Sequence, residues 1–383
     1  MSPIRRVAAR AVDLALEASV APSFSRIGCT VRSRLEGWED VTSLPADDRH
    51  VLITGANTGL GYATARAVLA AGGQVTGTVR SPEKGEVTRA RLVDDLRGDL
   101  GGELGPMLAE QAVFEVLDLA ELASVHDLAD RLSRSGRRLD VVVHNAGALF
   151  ADHEVTVDGL ERTYQVHVVA PYLLTSLLLP QLLRSARARV VTVTSGGMYT
   201  QGLEVERLGS ADDYRGATAY ARAKRAQVVL TGEWARRFAH PDHPDHHDHP
   251  NHADHPNHAD RPLPPRGTGP TEPADLAFHV VHPGWALTPG VESSLPTFGR
   301  LTGPVLRSPE QGADTIAWLA LHPDLPGNGR LWHDRRPRSA HRVPWTRTRA
   351  SDARRLWDRV SRDAGIIPDI PAGTATSSTP GSP

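Results

Sequence analysis

Tyr220 and Lys224 stand four residues apart, in Tyr220-Ala221-Arg222-Ala223-Lys224. On a helix, that spacing puts both side chains on one face, a turn from each other. A phenol titrates near ~10 and is a poor base at neutral pH. A neighbouring ammonium favours its phenolate, so the pair suits proton transfer to or from an oxygen. Ser195, in Val193-Thr194-Ser195-Gly196-Gly197, adds a hydroxyl that can hold the same oxygen in line.

A second constellation lies near the start. His50–Gly61 reads HVLITGANTGLG. Gly55, Gly59 and Gly61 allow a sharp turn and a close backbone approach to a pyrophosphate. The helix that follows offers unpaired N–H groups and the positive end of its dipole. Asn57, Thr58 and Leu60, inside the turn, join the candidate contacts. At the end of the next apolar run stand Val79 and Arg80, with no acid until Glu83. An acid there would bind a ribose 2′-hydroxyl. An arginine fits a 2′-phosphate, so NADP(H) is favoured over NAD(H).

These residues need a scaffold. The runs His50–Thr54, Gln74–Val79, Val113–Leu117, Asp140–His144, Arg189–Thr194 and Phe278–His282 are short and rich in β-branched residues, and Gly329–His333 is a weaker seventh. Helical patterns such as Gly61–Ala71 and Ala219–Phe238 lie between them. The alternation predicts an α/β fold of the Rossmann type: a doubly wound parallel sheet of about seven strands, helices on both faces, in a single domain. Candidate residues then fall at strand ends: Asp118-Leu119 after the third run, Asn145-Ala146-Gly147 after the fourth, Ser195 after the fifth, and Pro283-Gly284, with Thr288 beyond, after the sixth.

In order and on matching elements, TGxxxGxG, NAG, Ser195 and YxxxK resemble the short-chain dehydrogenase/reductase (SDR) family. The likeness covers about residues 49–332. Ser195–Met198, His282-Pro283-Gly284-Trp285, Thr288–Val291 and Leu306-Arg307-Ser308 further resemble its branch of member-12-like dehydrogenase/reductases. The resemblance implies hydride transfer between a nicotinamide and a carbonyl/alcohol pair. Lys224 would also grip the nicotinamide ribose, Asp118 would contact the adenine, and Pro283, Gly284 and Thr288 would lie beside the nicotinamide or the diphosphate. The family carries an asparagine in a proton relay where this chain has His167, which an imidazole could replace. His144 replaces the first asparagine of the usual NNAG. A dimer or tetramer through the Tyr220 helix is also implied.

The substrate side should be walled by Leu149, Phe150, Met198, Tyr199, Trp285, Leu287, Val291, Leu295, Phe298, Leu301 and Val305. They form an apolar set without a carboxylate clamp, so a lipophilic ketone, aldehyde or alcohol is the expected substrate.

Composition narrows the rest. The chain has 383 residues, 40% of them hydrophobic, with a net charge of −2. That balance argues against a nucleic-acid partner held through its phosphates. A single cysteine, Cys29, excludes an intrachain disulfide and a cysteine-built zinc site, and suits a reducing cytoplasm. No stretch reaches the ~18 apolar residues of a membrane span. Residues 1–48 read as a helical extension, with Ile4, Val7, Ala8, Ala11 and Ala15 at helical spacing. Residues 49–335 read as the Rossmann domain, and 336–383 as a C-terminal extension ending in a loose tail. Between about 240 and 273 lies a His/Pro-rich tract with eight histidines from His240 to His258. It reads as a disordered insertion with no required metal. Two rival readings are a dinucleotide-binding sensor without turnover and a metal-buffering protein built on the tract.

Overall fold

The computed structural model describes residues 3–46, 49–238, 276–288 and 303–366. The His/Pro-rich tract, the end of the tail, and Val291, Leu295, Phe298 and Leu301 lie outside the described residues.

Each apolar run forms a strand within two residues of its expected bounds. These are β1 (His50–Ile53), β2 (Gln74–Val79), β3 (Ala112–Val116), β4 (Val141–His144), β5 (Arg189–Val193), β6 (Ala277–Val281) and β7 (Leu331–His333). They form one sheet in the order β3-β2-β1-β4-β5-β6-β7, all parallel. An eighth strand, β8 (Arg336–Arg338), pairs antiparallel with β7. The expectation of about seven strands missed it because Arg-Pro-Arg has neither apolar alternation nor β-branched residues.

The central strands β1, β4 and β5 are buried on both faces, as a covered parallel sheet requires. Leu52, Val142, Val190 and Phe278 face one core, against α7 (Leu122–Arg134), α9 (Ala170–Leu182) and α10 (Gly216–Arg237). Val51, Ile53, Val143, Val191 and Val281 face the other, against α4 (Gly59–Ala70), α5 (Pro82–Leu100) and α11 (Pro309–Leu321). Between them in the chain stand the short α6 (Leu104–Ala109) and α8 (Arg162–Tyr164). The order reverses direction between β1 and β4, so a crevice opens above their carboxyl ends.

Both ends of the chain pack onto this frame. The last helix, α12 (Ala350–Asp363), brings Trp357 to 5.0 Å from Tyr172 and 4.7 Å from Trp234 between ring centroids. The first three helices are α1 (Pro3–Ala18), α2 (Val20–Phe24) and α3 (Arg26–Glu36). Buried charge ties them to the sheet end. Asp334 accepts from Arg32 at 2.6 Å and from Arg307 at 2.5 Å, all three nearly inaccessible to water. Arg307 also donates to the carbonyls of Ser23 (3.0 Å) and Phe24 (3.0 Å).

Candidate active site

The glycine turn follows β1 directly. Gly55 and Gly59 have φ of +68° and +53°, where a side chain is strained. At Gly61 the constraint is space: a Cβ would sit 2.2 Å from the Gly55 carbonyl oxygen and 2.5 Å from Nδ2 of Asn145. Asn145 staples the turn to β4, its Nδ2 donating to the carbonyl of Thr54 at 2.9 Å. Thr58, exposed, precedes the first turn of α4 and makes no side-chain cap, so the helix N–H groups face the crevice. The glycine cradle therefore fits a diphosphate. Leu60 packs toward α11, where a Cβ on Gly312 would meet its Cδ2 at 2.6 Å.

Arg80 stands exposed immediately beyond β2. Asp118 is exposed after β3, with Oδ1 accepting from the Ala120 N–H at 2.9 Å. The Leu119 side chain is buried in the core. Only its backbone can face a nucleotide.

Ser195 ends β5, its Oγ accepting from the Gly197 N–H at 3.2 Å. Tyr220 and Lys224 stand on successive turns of α10, as their spacing predicts. Burial raises the Tyr220 phenol, and the Ser195 hydroxyl beside it works the other way. Burial lowers the Lys224 ammonium to about 7. The expected partnership of these two takes a different form here. Lys224 Nζ donates to the Val193 carbonyl at 2.9 Å and lies 5.4 Å from the centre of the Tyr220 ring. The cation is drawn to a carbonyl of β5, and the phenol feels mainly its own desolvation.

His167 sits in a π-helical turn, Gln165–Val169, between α8 and α9. Such wide turns gather at functional sites. Its Nδ1 lies 2.9 Å from the Thr163 carbonyl and must donate to it, so Nε2 is the acceptor. Nε2 is buried without a protein partner. A Cβ on Gly147 would lie 2.7 Å from this Nε2 and 3.7 Å from Lys224 Nζ, so both groups converge on Gly147. Burial, reinforced by Lys224, pushes the imidazole down to about 3. His167 is neutral at any physiological pH. His144 is buried too, with Nε2 2.7 Å from Thr175 Oγ1.

Asn145 thus ties the glycine turn to β4, and Gly147, two residues on, neighbours both His167 and Lys224. Residues 49–240 match the short chain dehydrogenase family. The chain belongs to that family. It is an NAD(P)-dependent oxidoreductase and lies close to the member-12-like branch. It is 33% identical over 309 residues to dehydrogenase/reductase SDR family member 12 of Bos taurus, covering 80% of this chain and 82% of that one. It is 32% identical to retinol dehydrogenase 14 of Mus musculus, covering 83% and 86%. A solved structure of an uncharacterised Mycobacterium paratuberculosis protein superposes with a TM-score of 0.59 at 26% identity, covering 86% of this chain and 98% of that one. A Burkholderia cenocepacia short chain dehydrogenase in complex with NADP shares the fold, with a TM-score of 0.52 at 20% identity, over 75% and 96% of the two chains.

The substrate side differs from expectation in one wall. Met198 is fully buried with Val228, Val280 and Leu331. It is a core residue, because the 3-10 turn Gly196–Tyr199 tucks it under α10. A residue with no sequence signal for the role, Phe24 of α2, lies beside Gly196 instead. A Cβ on Gly196 would meet His282 Nε2 at 3.0 Å, Trp285 Nε1 at 3.6 Å and Phe24 Cε2 at 3.7 Å. The Phe24 carbonyl accepts from the Trp285 N–H at 2.7 Å. Pro283 and Gly284 follow β6, and Gly284, at φ +78°, leaves room for the Arg307 guanidinium. Phe150 lies on the opposite side, its ring centroid 6.3 Å from His167.

Proposed function

We propose that this oxidoreductase is NADP(H)-dependent and interconverts a lipophilic ketone or aldehyde with its alcohol. The observation that carries the reading is the convergence of Ser195, Tyr220 and Lys224 beside the glycine cradle. When bound, the nicotinamide supplies or takes up the hydride. The Gly55–Gly61 turn would seat the diphosphate, Arg80 the 2′-phosphate, and Asp118 and the Leu119 backbone the adenine side. Asn145, Ala146 and Gly147 would line the ribose, and Pro283, Gly284 and Thr288 the nicotinamide side.

Tyr220 donates a proton to the carbonyl oxygen in reduction and accepts one in oxidation. Ser195 hydrogen-bonds that oxygen and stabilises its developing charge. Lys224, poised near neutrality, would replenish the phenol's proton. His167, accepting at Nε2, extends the relay from Lys224.

Arg80 without an acid before Glu83 supports NADP(H), as do NADP complexes among structures of this fold. Phe150, Trp285 and Leu287 support a lipophilic substrate, and several relatives are named for retinol. The resemblance implies a dimer or tetramer through α10. Because α12 already covers part of that helix, pairing would use the remainder. The single, buried Cys29 supports a cytoplasmic site.

The test is NADPH oxidation with a panel of lipophilic aldehydes and ketones, beside a Tyr220→Phe variant. Turnover that the variant loses supports the reading. His167 in the asparagine position favours a second one, a dinucleotide-binding sensor. Tight NADPH binding without turnover on the whole panel would select it.

A further inference from the structure

A helix on a soluble domain turns its apolar stripe inward and its charges to water. From residue 9 onward, helix α1 does the reverse. Its inward residues include Ala9 and Asp13, with Glu17 partly buried beside them. Both acids are held internally. Asp13 accepts from Arg32 (2.7 Å) and Arg338 (2.8 Å), and Glu17 from Arg32 (2.8 Å) and Arg342 (2.7 Å). The opposite stripe is Ala11, Leu14, Ala15 and Ala18, at i, i+3, i+4 and i+7, and all four are exposed.

The pattern continues along the extension. Val20, Ala21 and Pro22 of α2 and Ile27 of α3 are exposed as well. The large side chains reach 38% exposure at Val12, 64% at Leu14, 51% at Val20 and 49% at Ile27. Every exposed charge from residue 9 to residue 34 is positive: Arg10, Arg26 and Arg34. The result is an apolar face with a basic rim.

We propose that this face docks on an anionic membrane surface, with α1 and α2 lying in the headgroup layer. Exposed apolar side chains would enter the acyl boundary while the arginines meet anionic headgroups. A second copy is the poorer occupant. An isologous pairing buries the same patch of both subunits and would bring the two arginine rims together. An open groove of about 790 Å³, between Ile27 and Val31 on α3 and Leu287 and Leu306 beyond β6, adjoins the face.

The experiment is sedimentation of the full-length protein with vesicles of phosphatidylcholine, with and without phosphatidylglycerol. The protein should pellet with the anionic vesicles only, and less so as salt rises. Leu14→Glu with Val20→Glu should lower the bound fraction about ten-fold. Thermal unfolding and NADPH binding should stay unchanged. If that pair fails to fold, Arg26→Glu with Arg34→Glu tests the same face through its charge, and should likewise weaken binding. No pelleting, equal pelleting with neutral vesicles, or binding untouched by the folded variants overturns the proposal. So does a solution dimer that Leu14→Glu dissociates, which would assign the face to a second copy. Turnover of a water-soluble aldehyde, measured alongside, separates the two ideas. An active enzyme that ignores vesicles loses only the docking, and a vesicle-bound protein without turnover loses only the chemistry.

Discussion

The imidazole of His167 stands edge-on to the ring of Tyr220, with centroids 5.3 Å apart and planes at 89°. The contact joins the π-helical turn to α10. A second tie runs from Gln227 Nε2 to the His167 carbonyl at 2.8 Å. Together they hold an acceptor nitrogen at the floor of the site, close to Lys224.

That arrangement predicts an asymmetry between two substitutions. His167→Asn keeps an acceptor and should stay within about three-fold of wild-type kcat. His167→Phe removes the acceptor at similar size and should lower kcat about ten- to hundred-fold, with KM little changed. Because burial and Lys224 hold the imidazole down to about 3, neither variant should delete a limb of the pH–rate profile between pH 5 and 9. Steady-state kinetics across that range check both points. Wild-type kcat in the Phe variant would leave His167 a structural residue.

The glycine cradle predicts a loss that is steric rather than chemical. Gly61→Ala places a methyl 2.2 Å from the Gly55 oxygen, so the turn must open. NADPH affinity, read by fluorescence titration, should fall at least ten-fold, while Gly98→Ala, whose Cβ meets nothing within 4 Å, should bind as wild type.

Much of this site was legible in the sequence, and the reason is local. The glycine turn, Ser195 and the Tyr220–Lys224 pair each report through a few neighbouring residues, and strands buried on both faces announce themselves as apolar runs. What escaped notice was built from distant partners. Residue type marks Arg32, Arg307 and Asp334 as surface residues, and only the fold, which brings positions 32 and 334 together, makes burying them tolerable. Phe24 carries no periodic signal that would set it behind Gly196. The position of Met198 after Ser195 points to the pocket, but the 3-10 turn Gly196–Tyr199 carries it into the core.

The buried ion cluster gives the next prediction. Burial alone would raise the Asp334 carboxyl, but His333, Arg307 and Arg32 hold it well below the usual carboxylate range. Asp334→Asn leaves two guanidinium groups buried without their shared anion. Urea unfolding at pH 7 should show a loss of about 3–5 kcal/mol. The folded carboxyl titrates lower than the unfolded one, so its contribution is present above about pH 4 and fades as the pH falls further. The gap between wild type and variant should therefore narrow in acid. An unchanged midpoint would mean that the cluster does not hold the extension in place.

The proposed preference for NADP(H) rests on a single exposed guanidinium, Arg80. Arg80→Asp should weaken NADPH binding at least ten-fold and leave NADH equal or tighter, since the new carboxylate repels a 2′-phosphate and accepts from a 2′-hydroxyl. Parallel titrations of the two cofactors decide it. Unchanged NADPH affinity removes Arg80 from the site.

The buried charge of Lys224 bears on stability as well as on the proposed chemistry. Burial lowers it from 10.5 to about 7, so between those values the unfolded chain binds a proton that the folded chain does not. Stability rises with pH wherever the unfolded state holds more protons, by about 1.4 kcal/mol per pH unit for one group. Below about pH 7 both states are protonated and the full cost of burying the cation is present. Lys224→Met removes that cost. Without cofactor, the variant should be more stable than wild type at pH 6, and the difference should shrink steadily toward pH 10. Denaturant midpoints at several pH values measure it, beside the loss of turnover that removing the lysine should cause at every pH. A stability difference that stays flat from pH 6 to pH 10 would mean that the ammonium keeps its ordinary affinity for the proton, and that the pocket around Tyr220 is wetter than its packing indicates.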